Sequence, residues 1–185
     1  MYHQYPESQK VGLKAEEEFA EAARRNGYGV RKSSLEENKF KHIDLWIDAD
    51  NKLLSVDVKA KKKVARSSSQ LEDRWMLVEF KNVAGGLGWL HGEADWIAQR
   101  VDGGFLITGR ESLLELCSGL VDNKISPYPD STRGESKELY RRYSRTPWGK
   151  KDEFGYILSS DIPENTKDFR LWEMEETECE DPFGF

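Results

Sequence analysis

Cysteine is nearly missing from this chain. Cys117 and Cys179 are the only two in 185 residues, too few for a disulfide framework or a cysteine-built zinc site. Long apolar runs are missing too, since no stretch approaches the roughly 18 apolar residues of a membrane span. The start, MYHQYPESQK, carries no apolar leader, so a cytoplasmic, reducing location is expected. Histidine is scarce: His3, His42 and His91 form no HExxH or zinc-type spacing. No Gly-Lys-Ser/Thr follows Gly85-Gly-Leu-Gly88, so that segment reads as a turn rather than a P-loop. There is no internal repeat and no low-complexity block.

Charge is plentiful, and unevenly placed. Lys+Arg number 28 and Asp+Glu 34, a formal net charge of -6. Residues 172–185 carry six acids and no base, which is the whole acidic excess. Two stretches are locally basic. One is Lys59-Ala-Lys61-Lys62-Lys63 followed by Arg66. The other spans residues 124–151, where eight bases face three acids. It includes Arg141, Arg142, Arg145, Lys150 and Lys151 beside Tyr143 and Trp148, a mixture of phosphate-binding charge and aromatic surface. A polyanion binder can have an acidic total, because the local field matters more than the sum. Taken singly, each patch is also what an ordinary solvated surface looks like.

Hydrophobic periodicity sets the elements. Residues 11–26 read as a helix stopped by Gly27. Residues 29–33 suit a short strand and 34–40 a polar loop. Residues 42–47 and 53–59 alternate apolar and polar around Asp48-Ala-Asp-Asn-Lys, which is hairpin chemistry. Further strands are expected at 75–81, 105–108 and 154–158, helices at 90–100, 110–121 and 135–144, and a mobile acidic tail from Glu173. A tight hairpin must be antiparallel, so the fold class is α/β with a mixed central sheet. The expected organisation is one domain over residues 1–162, with a core at about 10–121 and a basic extension at 122–162. An acidic tail at 163–185 would follow.

The hairpin register carries the chemistry. With the turn at Asp50-Asn51, Asp44 faces Asp57 and His42 faces Lys59, and directly opposed side chains share a face. Ile43, Leu45, Ile47, Leu54, Val56 and Val58 make the other, apolar face. Two carboxylates so close repel unless a proton or cation intervenes. Magnesium takes one or two carboxylates and keeps waters for chemistry. A lone Asp-x-Lys is more often an exposed ion pair; two facing aspartates beside a lysine have the parts for metal-assisted phosphodiester hydrolysis. A second Glu-x-Lys sits at Glu79-Phe-Lys81. Glu79 would join the site if its strand lay beside residues 53–59, and would otherwise be a surface charge.

Ile43-Asp44, twelve residues, then Asp57-Val-Lys59 resembles the PD-(D/E)XK nuclease motif. Gly12-Leu-Lys-Ala-Glu16 and the run to Gly27-Tyr-Gly-Val-Arg are similar to the first helix and strand of its Holliday-junction-resolvase-like members. The resemblance covers roughly residues 10–108. It departs from the family pattern at Ile43, where proline is common, and at Asp57, where glutamate is commoner. It implies a restriction-endonuclease-like core and a Mg2+-dependent endonuclease, with Mn2+ as a substitute. Glu16, Asp44 and Asp57 would surround the metal and Lys59 would lie at the scissile phosphate. Glu17 and Glu18 compete with Glu16, since the three cannot share one helix face. Lys61–Lys63, Arg66, Lys81, Arg141, Arg142, Arg145, Lys150 and Lys151 would hold nucleic acid, with DNA expected. Cutting is expected to be structure- or end-selective, as in a phage enzyme, and junction-cutting relatives imply a homodimer. The rivals are a non-catalytic binder on the same scaffold and an interaction module working through residues 173–181.

Overall fold

The computed structural model describes residues 7–49, 52–63, 71–129, 137–145 and 152–174. Helix α1 (Glu7–Arg25) leads into strand β1 (Gly29–Lys32). The hairpin β2 (Leu45–Ala49) and β3 (Lys52–Lys59) follows, then the short pair β4 (Lys62–Lys63) and β5 (Leu71–Glu72). Next come β6 (Trp75–Lys81), β7 (Trp96–Val101), β8 (Gly104–Gly109) and α2 (Arg110–Leu120). The chain continues through β9 (Ile125–Pro127), β10 (Arg142–Ser144), β11 (Glu153–Leu158), α3 (Asp161–Asn165) and β12 (Phe169–Glu173).

The architecture is mixed α/β. One sheet has the order β1-β2-β3-β7-β8-β12, and a second has β6-β11-β10-β9. The hairpin keeps the expected register: Leu45 lies opposite Val56 and Ile47 opposite Leu54. Strands β3 and β7 are parallel, with Asp57 beside Ile97 and Lys59 beside Gln99. A parallel neighbour needs a crossover of a dozen residues or more. Residues 60–95 supply it, carrying β6 into the second sheet on the way.

Both faces of the first sheet are covered. On one face Ala15, Phe19, Ala22 and Ala23 of α1 pack on Leu45, Ile47, Val56, Val58, Phe105 and Ile107. The alanines let the helix sit close, and Phe19 fills the gap, edge-on to Phe105 and stacked on Trp172. On the other face Met76, Val78, Phe80 and Ile157 of the second sheet, with Leu113 and Cys117 of α2, cover Ile43, Ile97 and Leu106. Each fully buried Leu, Ile or Phe contributes roughly 1.5–3 kcal/mol. No described helix is long and apolar enough to cross a membrane.

Several expectations are corrected. Residues 90–100 are not a helix: a 3-10 turn at Trp89–His91 precedes strand β7. This central strand has Ile97, Ala98 and Gln99 all buried; burial on both faces erases the alternation that marks a strand. Residues 135–144 are not a basic helix over their described part, because Arg142–Ser144 is strand β10, with Tyr143 buried between half-exposed neighbours. Strand β2 starts at Leu45 rather than residue 42. A π-helical turn at Glu37–Lys41 occupies the expected loop and ends at His42, whose φ is 56°. That reversal sends Ile43 into the core under the second sheet, away from Leu45. Strand β6 does not lie beside β3 but pairs with β11. The boundary expected at residue 163 falls inside the fold, since β12 pairs with β8 and buries Trp172. Residues 175–181 of the acidic tail lie outside the described residues, as do Arg66, Lys150 and Lys151.

Candidate active site

Asp57 sits near the C-terminal end of β3, on the face turned from α1, and is only 2% exposed. Its Oδ1 accepts from Lys59 Nζ at 2.6 Å. Its Oδ2 is buried and has no hydrogen-bond partner among the described residues. A buried acceptor left unsatisfied costs about 1–3 kcal/mol, and the carboxylate that adjoins Asp57 is that of Asp44. Burial pushes the Asp57 pKa up to about 8; Lys59 opposes the shift and nearby Asp44 adds to it.

Asp44 precedes β2. Its Oδ2 accepts from the Val58 N–H at 2.7 Å and its Oδ1 from Asn38 Nδ2 at 2.5 Å. The hairpin ladder extends to it through its own N–H, which donates to Val56 O at 2.9 Å. Glu16 is half-buried on α1; burial first, then the charge of Asp44, raises its pKa to about 7. The neighbouring glutamates point elsewhere. Glu18 pairs with Arg100 at 2.8 Å, and Glu17 is exposed. His42 has its pKa lowered by burial and by Lys59, with Asp44 opposing the shift.

Beside the carboxylates lies a cavity of about 180 Å³ lined by Lys59, Lys62, Leu77, Glu79, Trp89 and Gln99. Lys59 Nζ stands 4.6 Å from the centre of the Trp89 ring, a cation–π contact that helps hold its charge in place. Glu79 reaches this cavity from the second sheet, not from a strand beside β3. Burial raises its pKa, with Lys59 acting against the shift. Gly88 lets the next loop fold onto it: a Cβ there would lie 2.3 Å from Glu79 O. Lys62 is at the cavity mouth, its pKa lowered by desolvation and then by Lys59. A larger groove of about 470 Å³ lies along α2 and the α3–β12 connection, and none of the predicted site residues lines it.

Sequence reasoning missed Gln99, Asn38 and the contact of Trp89 with Lys59. Gln99 was hidden by the helix expected at 90–100. The signal was the Asp102-Gly103-Gly104 turn, where Gly103 has φ 72° and joins β7 to β8 as a hairpin.

The predicted phosphate-binding bases are mostly engaged. Lys61 pairs with Asp102. Lys81 and Arg142 share Glu153, at 2.5 and 3.5 Å. Arg141 pairs with Glu138 at 2.8 Å, and Arg145 lies 3.7 Å from buried Asp152. Arg142 and Arg145 also lie over Phe80 and Phe154. Lys62 makes no ion pair among the described residues. The Lys63 side chain lies outside them.

The donors fit a hard cation. Asp44 adjoins Asp57 and also acts on Glu16 of α1, and Asp57 Oδ2 is buried and unpartnered among the described residues. They are not a closed protein cage: among the described residues no three His, Cys, Asp or Glu side chains converge on one point. An ion that keeps several of its waters suits such a site.

No protein-family model matches the chain, and no curated protein matches it. Among solved structures, a bacterial homing endonuclease, I-Ssp6803I, is similar over 60% of this chain and 74% of its own, with a TM-score of 0.42 and 18% identity.

Proposed function

We propose that this chain is a metal-dependent nuclease of the PD-(D/E)XK type that hydrolyses phosphodiester bonds of DNA, with structure- or end-selective cutting. The observation that carries this is the buried, unpartnered Asp57 Oδ2, set beside Asp44 and tied through Oδ1 to Lys59. Asp57 and Asp44, with Glu16 behind them, would hold Mg2+ or Mn2+, which when bound supplies Lewis-acid stabilisation of phosphate charge and acidifies a bound water.

The chain's own residues do the rest. Lys59, fixed by Asp57 and Trp89, offsets negative charge gathering on the phosphate oxygens. Gln99 and Lys59 orient water in the cavity, and Glu79, with its raised pKa, accepts the proton that water loses as it attacks phosphorus. The P–O3′ bond breaks, leaving a 5′-phosphate and a 3′-hydroxyl protonated from solvent. Two copies acting together, the expected homodimer, belong to the same proposal.

One observation favours a second reading. Lys59 already occupies Asp57 Oδ1, and among the described residues no closed cage stands ready, as in a scaffold that binds DNA without cutting it. A cleavage panel separates the two. Supercoiled plasmid, linear duplex, single strand and four-way junction are offered with Mg2+, Mn2+ or EDTA, beside Asp57→Ala. Metal-dependent cutting lost in the variant supports the nuclease. Binding with no cutting of any substrate supports the scaffold.

A further inference from the structure

Two loops at the rim of the site hold large apolar side chains out in water. Residues 34–41 carry Leu35, 91% exposed, and Phe40, 68% exposed. Residues 82–88 carry Val83 and Leu87, 56% and 64% exposed. Neither loop is loose. In the first, Ser34 and Glu37 bond reciprocally, Ser34 N–H to Glu37 Oε2 at 2.7 Å and Glu37 N–H to Ser34 Oγ at 3.2 Å. Asn38 ties the same loop to Asp44. In the second, Asn82 Oδ1 accepts from the N–H groups of Ala84 and Gly86, and Asn82 Nδ2 donates to Leu87 O.

The first loop is tied to residues 92–93, which follow the second loop and the turn at Trp89–His91. Lys41 O accepts from Glu93 N–H at 2.8 Å, and Lys41 Nζ pairs with Glu93 at 3.0 Å. Gly92 permits this contact, since a Cβ there would lie 2.9 Å from both His42 Cβ and Lys41 O. Ordered backbone that displays Leu, Phe and Val to solvent forgoes roughly 25 cal/mol for each Å² left wet, a gain that a partner covering them would recover. The charges show which kind of partner fits. With Lys41 paired to Glu93, residues 31–41 still hold Arg31, Lys32 and Lys39 against Glu36 and Glu37, and Lys39 Nζ lies 5.1 Å from the Phe40 ring centre. Lys59 and Lys62 line the adjoining cavity. Apolar tips flanked by cations match a stacked, polyanionic duplex.

We propose that the loops at residues 34–41 and 82–88, linked through residues 89–93, are a wedge that unstacks a base step of duplex DNA beside the scissile phosphate, with Phe40 and Leu87 against the opened bases. This rests on the nuclease reading and adds how the substrate is gripped. Wedging apolar side chains between bases kinks a duplex and brings more of it against the protein. Bending at a step that opens easily would also give selectivity without reading base edges.

The test uses the full chain in EDTA and duplexes with aminopurine placed at successive steps. The expected result is a fluorescence rise at one step on binding. The Phe40→Ser/Leu87→Ser variant should lose that rise and bind about tenfold more weakly, with an unchanged dependence on salt because no charge is altered. Phe40→Leu should keep part of the rise. Both variants change exposed side chains, and melting confirms that they fold. A silent aminopurine, or variant binding equal to wild type, overturns the wedge while Mg2+-dependent cutting leaves the nuclease standing. Absence of both duplex binding and cutting overturns both. A variant that sediments as a smaller species than wild type shows the rim to be an interface between copies, and overturns the wedge.

Discussion

Two strands carry the same acid-x-Lys pattern, Asp57-Val-Lys59 on β3 and Glu79-Phe-Lys81 on β6, and the fold uses them differently. On β3 the acid and lysine pair with each other at 2.6 Å, in a strand covered on both faces, with one carboxylate oxygen orphaned. On β6 the lysine is tied across the sheet to Glu153 while the glutamate enters the cavity. Three residues of pattern are identical in kind. The neighbours differ: β3 lies between the Asp44 strand and β7, whereas β6 lies against β11 with Glu153 opposite Lys81. Both acids are desolvated; what sets β3 apart is the lysine held on its own acid and the Asp57 oxygen left without a donor.

The largest expected effect falls on cutting. Asp57→Ala should lower the cleavage rate by about a thousandfold or more, the scale of losing a preorganised electrostatic group, whereas Lys81→Ala should leave it within about threefold. Single-turnover rates on the preferred substrate of the cleavage panel check this, and equal losses in the two variants would erase the distinction between the strands.

Next is stability on the β6 side. Glu153→Ala leaves Arg142 and Lys81 without their shared partner, and breaking such a part-buried pair should cost about 3 kcal/mol, read by urea unfolding. The folded variant should still cut.

A smaller effect follows from the raised pKa values of Asp57 and Glu16, about 8 and about 7 against ordinary values of 3.8 and 4.5. Both groups bind protons more tightly in the folded chain. Their contribution is fully present below the unfolded values and is lost as pH rises toward the folded ones, so the cation-free melting temperature should fall between about pH 4 and pH 8. Asp57→Asn should remove much of that fall, and Mg2+ should raise the wild-type melting temperature at the alkaline end without raising the variant's. The smallest effect is on Lys81 itself, whose half-exposed pair should be worth about 0–1 kcal/mol in Lys81→Ala unfolding.

The β3 strand was far more legible in the sequence than its neighbours. Alternation in 42–47 and 53–59 around a turn gave the hairpin and its register, and so the juxtaposition of Asp44 and Asp57. The partner on the other side was not legible: β7 is buried on both faces and shows no alternation. With it went Gln99. The second sheet depends on pairing β6 with β11, more than 70 residues away, which no local pattern encodes. For the same reason Arg142 and Arg145 read as free phosphate ligands, although Glu153 and Asp152 reach them across the sheet. His42 at positive φ was equally hidden, since the π-helical turn that ends there has no periodic signature.

The central claim is that β3 carries a divalent-cation site and β6 does not. Titration of Mn2+ into the wild-type chain, Asp57→Asn and Lys81→Ala, with the free ion followed by electron paramagnetic resonance, tests it most directly. The account predicts that wild type and Lys81→Ala deplete free Mn2+ alike and that Asp57→Asn does not. Equal binding by Asp57→Asn and wild type, or no binding by any of the three, would contradict it.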